Sequence, residues 1–319
     1  MGVFKKGLRD EFMTALAELA QKQGWWQDVL HDASLIIAVR DEELDVYWNG
    51  QSLFHAKFKD GRVEVNTHVK YLLDPDLSDR VPLKADGTFD LKDVKPTPIL
   101  TRYETGTLRK LKRAADMFSG MEKQGVHALV QTNENVIDVE ITLDASDLPD
   151  VERNHPRIDI AMFEQRPEGV ELVFWEAKLF ANKELRAKGD SQPKVVGQIK
   201  DYKNALKAHQ YDVISSYICV AKNLVKIAEM SGGVRNVGPA IRAVADGGEL
   251  KMGPPANVGL VIFGFDADQN AEDSIGDKHL KKLKKLIGSR SVRTCGKPDG
   301  LKLYYFWDDE SAGDVGPRP

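Results

Sequence analysis

The chemically richest stretch of the chain runs from Arg157 to Tyr202 and reads RIDIAMFEQRPEGVELVFWEAKLFANKELRAKGDSQPKVVGQIKDY. Two apolar strands are expected in it, over Arg157–Phe163 and Val170–Leu179, with a helix from about Pro193. Each strand carries charge where its pattern asks for a buried residue: Asp159 between Ile158 and Ile160, and Glu176 and Lys178 at the end of a run apolar on both faces. Alternation along a strand puts Leu172, Phe174, Glu176 and Lys178 on one face and Val173, Trp175, Ala177 and Leu179 on the other. A strand apolar on both faces is a central strand covered on both sides. An unpaired charge there is very costly, and it is resolved by a mutual ion pair, a metal, or both. Two carboxylates and a lysine at one edge of a sheet make a hard-cation site with a charge-stabilising or proton-transferring group beside it.

The Glu-x-Lys triplet alone is weak, since a chain of this length gives on the order of one by chance. Asp90/Lys92, in a polar loop, and Asp201/Lys203, in a helical pattern, have the related Asp-x-Lys form. Strand context and a preceding strand with Asp159 set Glu176 and Lys178 apart from them. Asp159 followed by Glu176-Ala177-Lys178 resembles the signature of the PD-(D/E)XK nuclease superfamily, the restriction-endonuclease-like phosphodiesterases. The resemblance implies that Asp159 and Glu176 bind magnesium, with manganese an alternative, and with the Ala177 carbonyl as a further ligand. It implies that Lys178 orients or activates the attacking water. Here Ile158 stands in place of the family proline, and Pro156 lies three positions upstream of Asp159. The next helix carries Gln198 and Tyr202, a Gln-x-x-x-Tyr spacing similar to the RecB-like branch, and residues i and i+4 share a helix face. An ordinary amphipathic helix with Tyr202 in its packing stripe explains that pair equally well. The resemblance covers roughly Leu108–Val220 and implies an α/β, restriction-endonuclease-like core, αβββαβ, with a mixed central sheet flanked by helices. It implies DNA as substrate, cut in restriction, repair or defence against foreign DNA. An RNA-cleaving member is one alternative, and a nuclease-like fold that only binds nucleic acid or protein is another; metal binding and a cleavage assay separate them.

Composition is that of a globular chain, 42% hydrophobic and 29% charged over 319 residues. No apolar run reaches the roughly 18 residues of a membrane span, and MGVFKKGLRDEF lacks the apolar core of a secretory signal. Cys219 and Cys295 form no CxxC pair, which fits a reducing cytoplasm. A net charge of -4 offers no global attraction to nucleic acid, so phosphate binding has to be local or metal-mediated. Cutting both strands of a duplex needs two sites, which makes a homodimer compatible with the reading, and an activating partner protein stays open.

Three segments are expected: 1–100, an N-terminal helix plus antiparallel β-meander with an accessory, recognition or oligomerisation role; 101–307, the nuclease-like core with C-terminal additions; and 308–319, a disordered tail. In the first, Val3–Gln23 has helical period and Trp25-Trp26 reads as a core anchor. Strands are expected over Leu35–Arg40, Leu44–Trp48, Leu53–Lys59 and Arg62–Lys70, with Asn49-Gly50 and Asp60-Gly61 as hairpin turns. His55, Lys57 and Lys59 share a face near Tyr47 and Trp48, which reads as a solvated face rather than a nucleic-acid-facing sheet. Leu73–Thr101 reads as a linker.

In the core, Thr107–Gln124 is expected as one amphipathic helix, Asn135–Leu143 as a strand and Ser216–Val220 as the strand after the second helix. Further helices are expected over Ala221–Met230 and Gly238–Ala245, and strands over Val258–Phe265 and Leu301–Trp307. Glu104, Glu122 and Glu140 are the candidates for an extra acidic metal ligand. Phe180–Gln192 is a polar loop whose Lys183, Arg186 and Lys188 are candidate phosphate contacts at the mouth of the site. The helix Asp277–Ile287 has a wide basic face, and its Lys281, Lys282 and Lys285 are the other nucleic-acid-binding candidates.

Overall fold

The computed structural model describes residues 4–74, 84, 86–88, 92, 99–143, 157–187, 191–253, 255–269, 271 and 274–304. It is an α/β protein with a mixed sheet and a separate antiparallel sheet, flanked by helices. Helix α1 spans Asp10–Ala20, shorter than the periodic stretch of sequence, because Gly7 leaves the helix to bridge Asp41. Helix α2 spans Trp25–His31 and buries Trp26.

The meander is β1 (Ile36–Val39), β2 (Glu43–Trp48), β3 (Gln51–Lys59) and β4 (Arg62–Asn66), paired in that order. Asn49 and Gly50 have φ of 47° and 70°, and Asp60 and Gly61 have 51° and 77°, the two consecutive left-handed residues that a tight hairpin turn needs. The last strand is shorter than expected, and Val69–Tyr71 forms a 3-10 turn. On the meander face His55 meets Asp45 at 2.8 Å and Lys57 meets Glu43, so its charges pair across strands. Leu73 bridges Ile99, and the Leu100 N–H donates to the Leu72 carbonyl at 2.6 Å, so the two ends of the expected linker lie side by side.

The expected single helix over Thr107–Gln124 is two helices, α3 (Thr107–Asp116) and α4 (Met121–Thr132). Gly120 caps α4 with extended backbone, and Phe118 and Met121, on either side of it, are exposed. The mixed sheet is built from β5 (Val136–Thr142), β6 (Arg157–Arg166), β7 (Gly169–Leu179), β8 (Leu250–Lys251), β9 (Asn257–Phe263) and β10 (Val292–Cys295). Its order is β10-β9-β7-β6-β5, with β8 beside the start of β7. Strands β5, β6 and β7 pair antiparallel, then β9 runs parallel to β7 and β10 parallel to β9. Between β7 and β8 come α5 (Lys194–Ala208), α6 (Gln210–Met230) and α7 (Pro239–Ala245). Helix α8 spans Ile275–Ile287.

The expected strand Ser216–Val220 lies inside α6. Val213, Tyr217, Val220, Leu224 and Ile227 are buried at three- and four-residue steps, and a helical period held over about four turns overrides the local strand preference of SYICV. The parallel strand after the helices is instead β9, close to the expected Val258–Phe265. Of the expected strand Leu301–Trp307, residues 301–304 have no regular structure and the rest lie outside the described residues. The expected tail 308–319 also lies outside them.

One continuous apolar cluster joins α1, α2, the meander and α3 to one face of the mixed sheet and to α5–α7. A smaller cluster, with Leu129, Trp175, Val261 and Phe263, lies on the opposite face beneath α4. Gly125 of α4 sits so close to the sheet that a Cβ there would stand 2.1 Å from the Phe263 ring. A buried ion cluster links the meander to the sheet. Asp138 of β5 takes Lys6 at 2.8 Å, the Arg40 guanidinium and, at 3.2 Å, the Tyr217 hydroxyl. Among the described residues no helix is long and apolar enough to cross a membrane.

Candidate active site

Strand β7 is buried from Val170 to Lys178, with neighbours on both edges and helices on both faces, as its unbroken apolar run requires. Its last residues carry the charge. Glu176 is 1% exposed and Lys178 8%, and they meet at 2.7 Å from Nζ to Oε1. Lys178 Nζ also reaches Glu184 Oε2 at 3.2 Å. The β6–β7 pairing is regular as far as Ile160 and Trp175. Just beyond it, Asp159 Oδ2 accepts the Ala177 N–H at 2.7 Å, so the Asp159 carboxylate takes the place of a ladder acceptor beside Glu176.

Electrostatics follow from this burial. Asp159 is pushed well above the usual carboxylate range, by burial first and then by Glu176, against the Ala177 N–H and Lys178. Burial also raises Glu176, against the attraction of Lys178. Burial pulls the Lys178 ammonium down, but Glu176, Asp159 and Glu122 outweigh it, so its pKa lies above the ordinary lysine value.

Tyr202, wholly buried on α5, donates its hydroxyl hydrogen to the Arg157 carbonyl at 2.7 Å and accepts from Gln198 Nε2 at 2.6 Å. That chain ties α5 to the start of β6, two residues before Asp159. The hydroxyl lies near enough to Glu176 to act on its charge, but its one hydrogen is committed to Arg157. Glu176 Oε2 is therefore a buried carboxylate oxygen without a hydrogen-bond partner among the described residues. Such an atom calls for an account, and an unplaced cation is one.

Of the three candidates for an extra acid, Glu122 lies at the site. Its Oε2 accepts the Leu179 N–H and Asn182 Nδ2, each at 3.0 Å, just past Lys178. Glu140, at φ 52° in β5, acts on Asp159 by its charge and pairs with Arg157 at 3.5 Å. Glu104 belongs to the turn before α3, where its N–H donates to Thr107 Oγ1 at 3.0 Å. Among the described residues no group of three or more His, Cys, Asp or Glu side chains is gathered to hold a metal. A magnesium site that keeps several waters needs only one or two carboxylates. The orphaned Glu176 oxygen beside the Asp159 carboxylate suits such an ion.

The basic candidates divide. Lys183 is exposed in a 3-10 turn, Lys183–Leu185, that structures part of the expected loop. Arg186 is half-buried, 4.9 Å from the Phe180 ring, and donates to the Asn182 carbonyl at 3.0 Å. Lys188 lies outside the described residues. On α8, Lys281 pairs with Asp277 at 2.7 Å, Lys282 donates to the Ser191 carbonyl at 3.4 Å, and Lys285 is exposed. His279 is held below the usual histidine value by burial, then by Arg186 and Lys282, which places α8 beside the loop after β7. Glu184 was not among the sequence candidates; its contact with Lys178 arises only because the turn after β7 folds back.

The fold and this cluster define an α/β protein with a buried Glu–Lys pair and a half-buried Asp where its central sheet changes from antiparallel to parallel pairing. No protein-family model matches the chain, and neither a curated protein nor a solved structure does.

Proposed function

We propose that the chain is a metal-dependent phosphodiesterase of the PD-(D/E)XK kind, acting on nucleic acid and foremost on DNA. The observation that carries the reading is the meeting of the half-buried Asp159 with the buried Glu176 and Lys178 in one cluster, an oxygen of Glu176 having no hydrogen-bond partner among the described residues. The element order supports it: helix α4, three antiparallel strands, helices α5, α6 and α7, the short strand β8 and the parallel strand β9 resemble the αβββαβ order with two helices and one short strand added.

Asp159 and Glu176 would hold Mg²⁺ or Mn²⁺, with the Ala177 carbonyl as a further ligand. When bound, the ion supplies a water of lowered pKa and offsets charge on the scissile phosphate. Lys178, kept protonated by the surrounding carboxylates, would orient the attacking water and stabilise the negative charge that builds on the phosphoryl oxygens as the bond to the leaving oxygen breaks, the water's proton passing to solvent and the leaving oxygen taking one from it. Gln198 and Tyr202 are positioning residues that hold the start of β6, and with it Asp159, against α5. Glu122 fixes the end of β7, and with it the backbone beyond Lys178.

The test is cleavage of supercoiled plasmid, linear duplex, single-stranded DNA and RNA with Mg²⁺, Mn²⁺ or EDTA. Cutting of DNA that needs the metal and is lost in Lys178→Met supports the reading. Full turnover by Lys178→Met refutes the mechanism.

A further inference from the structure

The start of β6 leads from Asp159 into a cleft that the mechanism leaves unused. It encloses ≈ 880 Å³ between the meander and the mixed sheet, and its lining includes Tyr47, His68, Lys70, Lys123, Glu140 and Arg157. The chain as a whole carries a net charge of -4. This lining has three cations, Lys70, Lys123 and Arg157, against the single carboxylate of Glu140, a local balance of +2 with histidines neutral.

Two of the cations have only neutral partners. Lys70 Nζ donates to Gln51 Oε1 at 3.1 Å and stands 4.8 Å and 5.0 Å from the Tyr71 and Phe118 ring centres. Gln51 is buried and fixed in turn, accepting from the Tyr71 hydroxyl at 3.0 Å and donating to the Phe118 carbonyl at 3.1 Å. Lys123 Nζ donates to the Gly50 carbonyl at 3.2 Å. No carboxylate pairs with either among the described residues, whereas His55, also in the lining, meets Asp45 and Glu43, and Lys57 and Lys112 on neighbouring surfaces meet acids too. Held ammonium groups without counter-charge in a polar cleft are an anion site with several positions along its length.

One end of the cleft lies next to the candidate site along β6, although Asp159, Glu176 and Lys178 do not line it. Arg157 is two residues before Asp159 on the same face of β6, and Glu140 is close enough to act on the Asp159 charge. A groove lined by several cations is the arrangement that follows a nucleic-acid backbone without reading sequence.

We propose that this cleft binds the phosphodiester backbone of a nucleic-acid strand and leads it to Asp159 and Glu176, with Lys70, Lys123 and Arg157 as phosphate contacts. The direction of travel toward Asp159 rests on the nuclease reading; the binding itself does not. The experiment is fluorescence anisotropy in EDTA, across a KCl series, with labelled single-stranded DNA, RNA of the same sequence and the DNA duplex. The proteins are the full chain, the double variant Lys70→Gln/Lys123→Gln, a control Lys226→Gln/Lys251→Gln, and Lys281→Gln/Lys285→Gln. Loss of two phosphate contacts should make the salt slope shallower by about 1.4 for a single strand or about 1.8 for the duplex. The control should leave it unchanged, and the probe that shows the change identifies the strand form.

An unchanged slope in the Lys70/Lys123 variant overturns the proposal. So does a slope that moves only in the Lys281/Lys285 variant, or no binding of any probe. Because binding is read without metal, the two readings fail separately. Cleft binding without cutting under Mg²⁺ or Mn²⁺ removes the nuclease, while Glu176-dependent cutting with an unchanged slope removes the cleft.

Discussion

His127 tests how the meander is docked beside the candidate site. It sits on α4, 6% exposed, where its Nδ1 accepts the Asn49 N–H of the β2–β3 turn at 3.2 Å and its ring lies edge-on to Trp48 at 5.0 Å. A protonated Nδ1 would face that N–H with a second hydrogen. Burial first, and then Lys112, lower the pKa from 6.5 to about 4, against the Ser34 backbone, Asp116 and Asp32. A depressed folded-state pKa means that the unfolded chain binds the proton first as pH falls. Stability is therefore intact above the unfolded value and is lost as pH drops toward about 4. The difference of roughly 2.5 pH units is about 3 kcal/mol in full, and about 2 kcal/mol between pH 7 and pH 5. Urea unfolding followed by tryptophan fluorescence, at steps between these two pH values, measures it against His127→Gln. The gap between the two proteins should narrow by about 2 kcal/mol as pH falls, because only the wild type carries the penalty. A gap that stays constant, or a His127 ring that titrates near 6.5 by NMR, would refute the docking argument.

Two further outcomes follow from buried charge. Asp159 and Glu176 are both raised by burial, so a divalent cation must displace a proton from the pair, and its affinity should climb with pH. Calorimetric Mn²⁺ titration in two buffers of different ionisation heat should show proton release that shrinks in Asp159→Asn; release of none would contradict the account. Asp138→Asn removes the carboxylate between Lys6 and Arg40, leaving the buried Lys6 without its counter-ion and Arg40 with Asp45 alone. It should cost about 3–5 kcal/mol in urea unfolding, and a loss under 1 kcal/mol would show that water reaches the cluster.

Much of the architecture was legible where pattern and chemistry agreed. The two hairpins of the meander were marked by Asn49-Gly50 and Asp60-Gly61, and β6, β7 and β9 by their apolar runs. Asp159, Glu176 and Lys178 stood out because charge interrupted those runs. Where structure and pattern part, local preference over a short window is overridden by longer-range packing. SYICV is β-branched and aromatic, yet it belongs to a helix that only the longer period reveals. The break between α3 and α4 lay in a stretch whose apolar spacing could be read through Gly120. Asp138 is buried in β5 beside a register shift that simple alternation along the strand does not signal. Its partners Lys6 and Arg40 are remote in sequence, so no local signal joins them. Glu184 and the cleft above Arg157 depend on how loops and sheets pack, and spacing along the chain holds no record of that.

The central claim is that Asp159, Glu176 and Lys178 form a metal-dependent phosphodiesterase site. Its most direct test compares the wild type with Glu176→Ala for cutting of plasmid, linear duplex and single-stranded DNA in Mg²⁺, Mn²⁺ and EDTA, with urea unfolding to confirm that both proteins are folded. The account predicts DNA cutting by the wild type with metal only, and none by the folded variant. Equal cutting by both proteins, or none by the wild type on any DNA with either metal, would contradict it.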